Sequence, residues 1–170
     1  EAKRLDPHRL ATFASNSLRN EIDKNASGLM DFVEFNEYYE SWYKGDVEDA
    51  RDNLQRIHNV FPDKPIVISE YGLCQRCRET FTGGVPHTIR ILRSHTEMYR
   101  DLDFVGGAIF FSYNDYRTHK GNVGTGVMQH RVHGVVDILG NPKPSWAVLR
   151  EESSPIKVLR IVSATGTTLR

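Results

Sequence analysis

An α/β fold with a parallel sheet is what this sequence predicts, and three observations predict it. Pro65-Ile-Val-Ile-Ser69 is a continuous β-branched run, as expected of a strand buried on both faces. Further strand candidates begin at Leu10, Phe32 and Gly106, and helix-like stretches separate them. Strand–helix–strand alternation implies parallel strands joined by right-handed crossovers. An open doubly wound sheet satisfies these observations, and so does an arc of an eight-stranded (β/α)₈ barrel. No Gly-x-Gly-x-x-Gly follows any strand, which weakens the dinucleotide-binding form of the first.

The elements follow in order. Glu1–Leu5 reads as the end of a helix. Leu10–Ala14, after Asp6-Pro7, is the first strand candidate; Phe32–Phe35, opened by Asp31 and closed by Asn36, is the second. From Asp46 to Phe61, Val47, Ala50, Leu54, Ile57 and Val60 fall at steps of three and four and share one helical face. Asp46 caps this helix and Pro62 prevents its continuation. Pro65–Ser69 is the third strand. From His87 to Leu102, the residues Ile89, Leu92, Thr96, Tyr99 and Leu102 make a second stripe, and Gly106–Phe111 is the fourth strand. Ser112 to Pro144 holds no clear helix or strand and is punctuated by glycines; loops this long in a compact domain are usually lids or binding loops. Ser145–Glu152 is a short helix, capped by Ser145 after Pro144. Pro155–Arg170 breaks the pattern, with strand character to Val162 and turn-rich sequence beyond, and is expected to open an all-β domain. The expected boundaries are residues 1–153 and 154–170.

Composition excludes several classes. The chain has 170 residues with 22 basic and 22 acidic, 39% hydrophobic and 26% charged, which is globular rather than disordered. The zero net charge argues against a nucleic-acid partner. There is no apolar run of about eighteen residues, so no membrane span is expected, and charged Glu1–Leu10 does not read as a signal peptide. The two cysteines, Cys74 and Cys77, lack the second ligand pair of a structural zinc site; they read as plain thiols or a small disulfide. His130 and His133 belong to no convincing ligand set, so no metal is expected.

Three segments offer chemistry. Ile66-Val-Ile-Ser-Glu-Tyr-Gly72 puts Glu70 at the carboxyl end of a buried strand, where parallel folds place their active sites. A charge there is costly unless paired or used, so Glu70 is either functional or a strand-end cap on backbone amides. Phe35-Asn-Glu-Tyr-Tyr-Glu-Ser-Trp-Tyr43 interleaves rings with Asn36, Glu37 and Glu40; ring faces stack on sugars while polar groups bond hydroxyls, or the segment is a packed aromatic corner. Phe110-Phe-Ser-Tyr-Asn-Asp-Tyr-Arg-Thr-His119 opens the long loop, where Asn114, Asp115, Arg117 and His119 either face a ligand or hold the loop.

In this order the segments resemble glycoside hydrolase family 2, which contains the β-galactosidases, β-glucuronidases and β-mannosidases. Lys3–Phe13 looks like the end of the family's fourth barrel helix and its fifth strand, Asn36–Tyr43 like the end of the sixth, and Pro65–Gly72 like the seventh. Ala108–Tyr116 resembles the eighth strand and its sequel, and Lys143–Arg150 the last barrel helix. The resemblance implies the C-terminal half of a (β/α)₈ barrel, strands five to eight, followed by the first strand of a β-sandwich. It implies that Glu70 is the nucleophile of a retaining exo-β-glycosidase and that Tyr38 hydrogen-bonds it. Asn36, Tyr43 and Phe111 match sugar-contacting positions, though the family usually has tryptophan where Phe111 stands. The family's acid/base glutamate precedes the helix that Glu1–Leu5 ends, so no residue here matches it, and the 170-residue piece alone is expected to be inactive.

The implied partners are a β-glycoside substrate and the rest of the same enzyme chain, with a homo-oligomer open; no cofactor is implied, and a periplasmic or secreted location is favoured by analogy alone. Glucuronidases carry an Asn-x-Lys pair after the eighth strand, where this chain reads Arg131-Val-His-Gly134. That favours a neutral, galactose-like sugar, although Arg131 could serve an acidic one. A non-catalytic sugar-binding half barrel, a glucuronidase or mannosidase specificity, and a small open-sheet protein of unrelated role remain as alternatives.

Overall fold

The computed structural model describes residues 1–77, 80–81, 83–119, 129–156, 160, 164–165 and 168–169. In chain order the helices are α1 (Ala2–Leu5), α2 (Val47–Val60), α3 (Gly84–Arg100) and α4 (Pro144–Ser153). The strands are β1 (Ala14–Ser15), β2 (Val33–Asn36), β3 (Ile66–Tyr71), β4 (Arg76–Cys77), β5 (Thr80–Phe81), β6 (Val105–Phe110), β7 (Tyr116–Arg117), β8 (His130–Arg131), β9 (Ala164–Thr165) and β10 (Thr168–Leu169). One four-stranded sheet has the order β1-β2-β3-β6, and every pairing in it is parallel. The order follows the chain without reversal, as an arc of a barrel requires; a doubly wound sheet reverses at its switch point. Three antiparallel pairs, β4–β5, β7–β8 and β9–β10, lie outside it.

The core forms where strands meet helices. Val33 and Phe35 on β2 and Ile66 and Ile68 on β3 are fully buried, and they join Ala50, Leu54 and Ile57 of α2 and Ile91, Leu92, Met98 and Tyr99 of α3 in one apolar cluster. The opposite sheet face, with Glu34, Asn36, Val67 and Ser69, is only half-buried. Helix α2 is fixed at its start by a reciprocal capping box: the Asp46 carboxylate accepts from the N–H groups of Glu48 and Asp49, and the Asp49 side chain accepts from the Asp46 N–H.

Several elements differ from the sequence expectation, each for a local reason. The first strand is paired only at Ala14–Ser15, because side chains hold the segment before it: the Ala11 N–H donates to Asp31 Oδ2 at 2.6 Å and the Thr12 hydroxyl to the Phe32 carbonyl at 2.9 Å. The stretch between the first two strands, for which no element was expected, contains 3₁₀ turns at Ile22–Lys24 and Ala26–Leu29. Asn25 caps the second turn and donates to the Ser15 and Ser17 hydroxyls at 2.8 and 2.9 Å. Helix α3 starts at Gly84, not at His87, with Gly83 before it in the left-handed region at φ +87°. Helix α4 is not capped by Ser145: Pro144, with its preset φ, takes the first helical position, and buried Ser145 lies inside.

The long loop is not featureless, since β7 and β8 pair within it and Asp115 ties it down. Asp115 accepts from the Gly134 N–H at 2.8 Å and from Lys143 Nζ at 2.7 Å, which is the loop-holding role. The strand expected from Pro155 lies largely outside the described residues. Cys74 is buried and disulfide-bonded. Among the described residues no helix is long and apolar enough to cross a membrane.

Candidate active site

The ends of β2 and β3 build the site together. Phe35 is buried against the helices, so Asn36 turns to the opposite face. On β3 burial alternates through Ile68, but Ser69 and Glu70 are both half-buried before Tyr71 returns to the core. The ladder shifts register at this point, with Phe35 opposite Ile68 and Asn36 opposite Glu70. Such irregularities re-aim a side chain at a strand end; here the result leaves Glu70 out of the core.

Hydrogen bonds fix Glu70 there. The Tyr38 hydroxyl donates to Glu70 Oε2 at 2.6 Å, and the Glu37 N–H donates to the Glu70 carbonyl at 2.8 Å. The Ser69 hydroxyl donates to Asn36 Oδ1 at 2.7 Å. Burial, reinforced by the bond to Glu70, pushes the Tyr38 phenol well above the usual tyrosine range, so it keeps its proton and remains a donor. Tyr38 therefore orients one carboxylate oxygen without competing for charge.

Aromatic rings wall the site. The Phe111 N–H donates to the Tyr71 carbonyl at 2.8 Å, which seats the residue beside the end of β3. The Phe111 ring meets Tyr116 and His133 edge-on, at centroid separations of 5.9 and 5.4 Å. His133 is 6.2 Å from the Trp42 ring, and Trp42 in turn meets Tyr38 edge-on at 6.5 Å. Burial, helped by the nearby Arg131 charge, lowers the His133 pKa to about 3, so this imidazole is neutral. The Arg131 guanidinium stands 5.3 Å from the Trp42 ring centre and 5.7 Å from that of Tyr116.

The structure thus brings Asn36, Tyr38, Tyr43 and Glu70 into one cluster, with Phe111 on the neighbouring strand end. Tyr43 uses its hydroxyl internally: it donates to the Asn36 carbonyl at 3.0 Å, while its ring packs on Tyr39 at 5.7 Å and lies under the Arg19 guanidinium at 4.6 Å. Sequence reasoning singled out neither Trp42 and Tyr116 as a pair nor His133 as part of the wall. Trp42 stands within the aromatic segment, but Arg131 and His133, which meet it, come from β8 and the residues after it, where both also meet Tyr116 of β7. The arrangement sets a carboxylate and its hydrogen-bonded phenol near a group of aromatic rings and a guanidinium. Among the described residues no group of histidine, cysteine, aspartate or glutamate side chains could hold a metal ion.

The sequence matches no family model and no curated protein. Solved structures do match. A β-galacturonidase of glycoside hydrolase family 2 from Eisenbergiella tayi, bound to galacturonate, superimposes with a TM-score of 0.73 at 21% identity, covering 88% of this chain and 28% of that one. The β-glucuronidase of Bacteroides uniformis gives 0.72 at 21% identity, covering 88% and 19% of the two chains. That of Faecalibacterium prausnitzii gives 0.66 at 24% identity, covering 88% and 26%. This chain has the fold of part of those enzymes. It spans between 19% and 28% of their lengths. All three are uronidases, so none lends support to the galactose-like preference.

Proposed function

We propose that residues 1–153 are strands five to eight of the catalytic (β/α)₈ barrel of a retaining β-glycosidase of glycoside hydrolase family 2, and that residues 154–170 open a following β-sandwich. The observation that carries this reading is the 2.6 Å hydrogen bond from Tyr38 to Glu70 at the carboxyl end of a parallel strand. Glu70 attacks the anomeric carbon as the bond to the leaving oxygen breaks, and that oxygen takes its proton from an acid/base carboxyl supplied by another part of the enzyme. Water, deprotonated by the same group, then displaces Glu70. The phenol of Tyr38 holds the carboxylate in line, and the rings around Phe111 offer a stacking face. Asn36 and Tyr43 stand where sugar hydroxyls would be met, Tyr43 acting through the Asn36 backbone.

For the sugar, the structural relatives and one local observation favour a uronide over the galactoside expected from the missing Asn-x-Lys pair. Arg131 presents a guanidinium between two rings, and its charge acts on both Tyr38 and Tyr116. A planar guanidinium suits bidentate recognition of a carboxylate on the sugar. In the full-length enzyme, Glu70→Gln should lower turnover by several orders of magnitude while folding is kept, and a 2-fluoro glycoside should label the peptide bearing Glu70. Label elsewhere overturns the assignment. Nitrophenyl β-glucuronide, β-galacturonide and β-galactoside, assayed side by side with Arg131→Gln, decide the sugar: loss on a uronide alone supports the acidic substrate, and equal loss on all three rejects it.

A further inference from the structure

Behind the site lies a buried ionic cluster that the proposed chemistry does not use. The Glu37 and His95 side chains are almost wholly inaccessible, at 0% and 1% exposure. Glu37 follows Asn36 directly and precedes Tyr38, while His95 lies on the buried face of α3, the helix that follows the Glu70 strand. Glu37 Oε1 accepts from the Tyr39 N–H at 2.6 Å, and Oε2 accepts from His95 Nδ1 at 2.7 Å and from the Tyr99 hydroxyl. The other imidazole nitrogen, Nε2, lies 3.2 Å from Glu40 Oε2. Both ring nitrogens therefore face oxygens that only accept, and both bonds are satisfied when the ring is an imidazolium.

We propose that His95 is a positioning residue for the Tyr38–Glu70 pair, clamping both ends of the Glu37–Glu40 turn so that the phenol between them is held on the nucleophile. The inference rests on the glycosidase reading. The turn needs a clamp: Glu40 stands in the left-handed region at φ +61°, an uncommon conformation for a residue with a side chain. At the turn's start, the backbone of Glu37 is already bonded to the Glu70 carbonyl. His95 reaches across the turn from Glu37 to Glu40, and in doing so it links the helix behind β3 to the residue that orients Glu70.

The surrounding groups fit that role. From α3, Arg90 pairs with Glu40 at 2.9 Å and His87 lies 4.0 Å from it, while Tyr99 bonds Glu37. From β3, Tyr71 packs edge-on against Tyr99 at 5.3 Å. From α2, Asn53 accepts from the Tyr39 hydroxyl at 3.0 Å. Burial alone lowers the His95 pKa, but the bonds and charges of Glu37 and Glu40 outweigh it and raise the value above 6.5. Stabilisation from the clamp is complete below 6.5 and is lost as pH rises through the higher folded value. Turnover, rather than substrate binding, falls on that alkaline limb.

The test uses the full-length enzyme with His95→Gln, Tyr38→Phe and the double variant, together with the Tyr38 resonance in protein carrying ¹³Cζ-labelled tyrosine. Misplacing a catalytic group by about an ångström costs on the order of 10²-fold. His95→Gln should lower kcat by about that factor with KM little changed, abolish the His95 contribution to the alkaline limb, cost little more in the Tyr38→Phe background, and shift the Tyr38 resonance. Wild-type kcat in His95→Gln, or an equal loss in both backgrounds, overturns the proposal. If the wild-type enzyme turns over no β-glycoside, the glycosidase reading falls and the resonance decides alone: a shift in His95→Gln supports the clamp, and none overturns it. Should His95→Gln fail to fold, Glu40→Gln, at the accessible end of the clamp, carries the same comparisons with the same outcomes.

Discussion

Single side chains set the chemistry of this site, and each makes a measurable demand. Tyr38 donates to a carboxylate from a buried position, and a hydrogen bond to a charged group is worth about 1.5–3 kcal/mol. Tyr38→Phe should therefore lower kcat/KM by roughly 10- to 100-fold with the melting temperature barely moved; an unchanged kcat/KM would place the phenol outside the mechanism. Phe111 is half-buried on the wall, whereas Phe35 is fully buried. Phe111→Ala should weaken substrate binding by about 1–3 kcal/mol and destabilise folding less than Phe35→Ala, for which about 3–5 kcal/mol is expected. His133 makes a pH prediction. Its folded pKa of about 3 lies below the ordinary 6.5, so the unfolded chain binds the extra proton between those values. Stability should be complete above pH 6.5 and fall as pH drops toward 3, and His133→Phe should flatten that part of the curve. A His133 resonance titrating near its ordinary value would refute the burial argument.

At the level of elements, what matters is how strands end and helices begin. The carboxyl end of β3 passes into Gly72 at φ +143°, and a Cβ there would stand 2.7 Å from the Phe111 carbonyl oxygen. Gly72→Ala forces the Glu70 strand away from the Phe111 strand; it should cost about 1–3 kcal/mol of stability and reduce turnover out of proportion to the fraction unfolded. The α2 capping box bonds only within the first turn of that helix, so it is expected to affect folding alone. Asp46→Ala should cost about 1 kcal/mol in denaturant titration and leave kcat untouched; a loss of turnover would show that α2 transmits to the site. Helix α3 carries the instructive departure from pattern. Of the expected stripe Ile89, Leu92, Thr96, Tyr99 and Leu102, the residues Leu92, Tyr99 and Leu102 are buried and Ile89 and Thr96 half-buried, and the buried face also takes in Thr88, Ile91, His95 and Met98. His95 meets Glu37 on that face, so an ionic contact is buried among the apolar ones.

On the scale of the molecule, the sheet is an open arc. β1 and β6 are its two edges, and β6 leaves Gly106, Ala108 and Ile109 exposed. A cavity of about 380 Å³ lined by Val105–Ala108 of this strand, Tyr99 and Glu152 lies alongside. Exposed edges with apolar side chains invite strand pairing. The 170-residue chain expressed by itself is expected to self-associate or to pair with the rest of a barrel, and to show no glycosidase activity. Light scattering after size exclusion checks the first expectation, and assay with and without the complementary half checks the second. A monomer that melts cooperatively and hydrolyses glycosides unaided would defeat the half-barrel reading.

By itself the sequence determined the parallel α/β architecture, because β-branched runs and three- and four-residue apolar steps are local signals that burial then enforces. It also determined the Asp46 cap, and it marked Glu70 and the aromatic segment as exceptional, because a charge at a buried strand end is costly unless used. Tertiary structure alone decided what those residues touch. The bond from Tyr38 to Glu70 joins the turn after β2 to the end of β3, beside the register shift between those strands. Arg131 stands over both Trp42 and Tyr116, and the pairing of β7 with β8, strands too short to leave a period in the sequence, brings it beside Tyr116. The partnership of Glu37 and His95 was hidden for the same reason: the two lie far apart in the chain, and only the packing of α3 behind β3 removes both from water and brings them together.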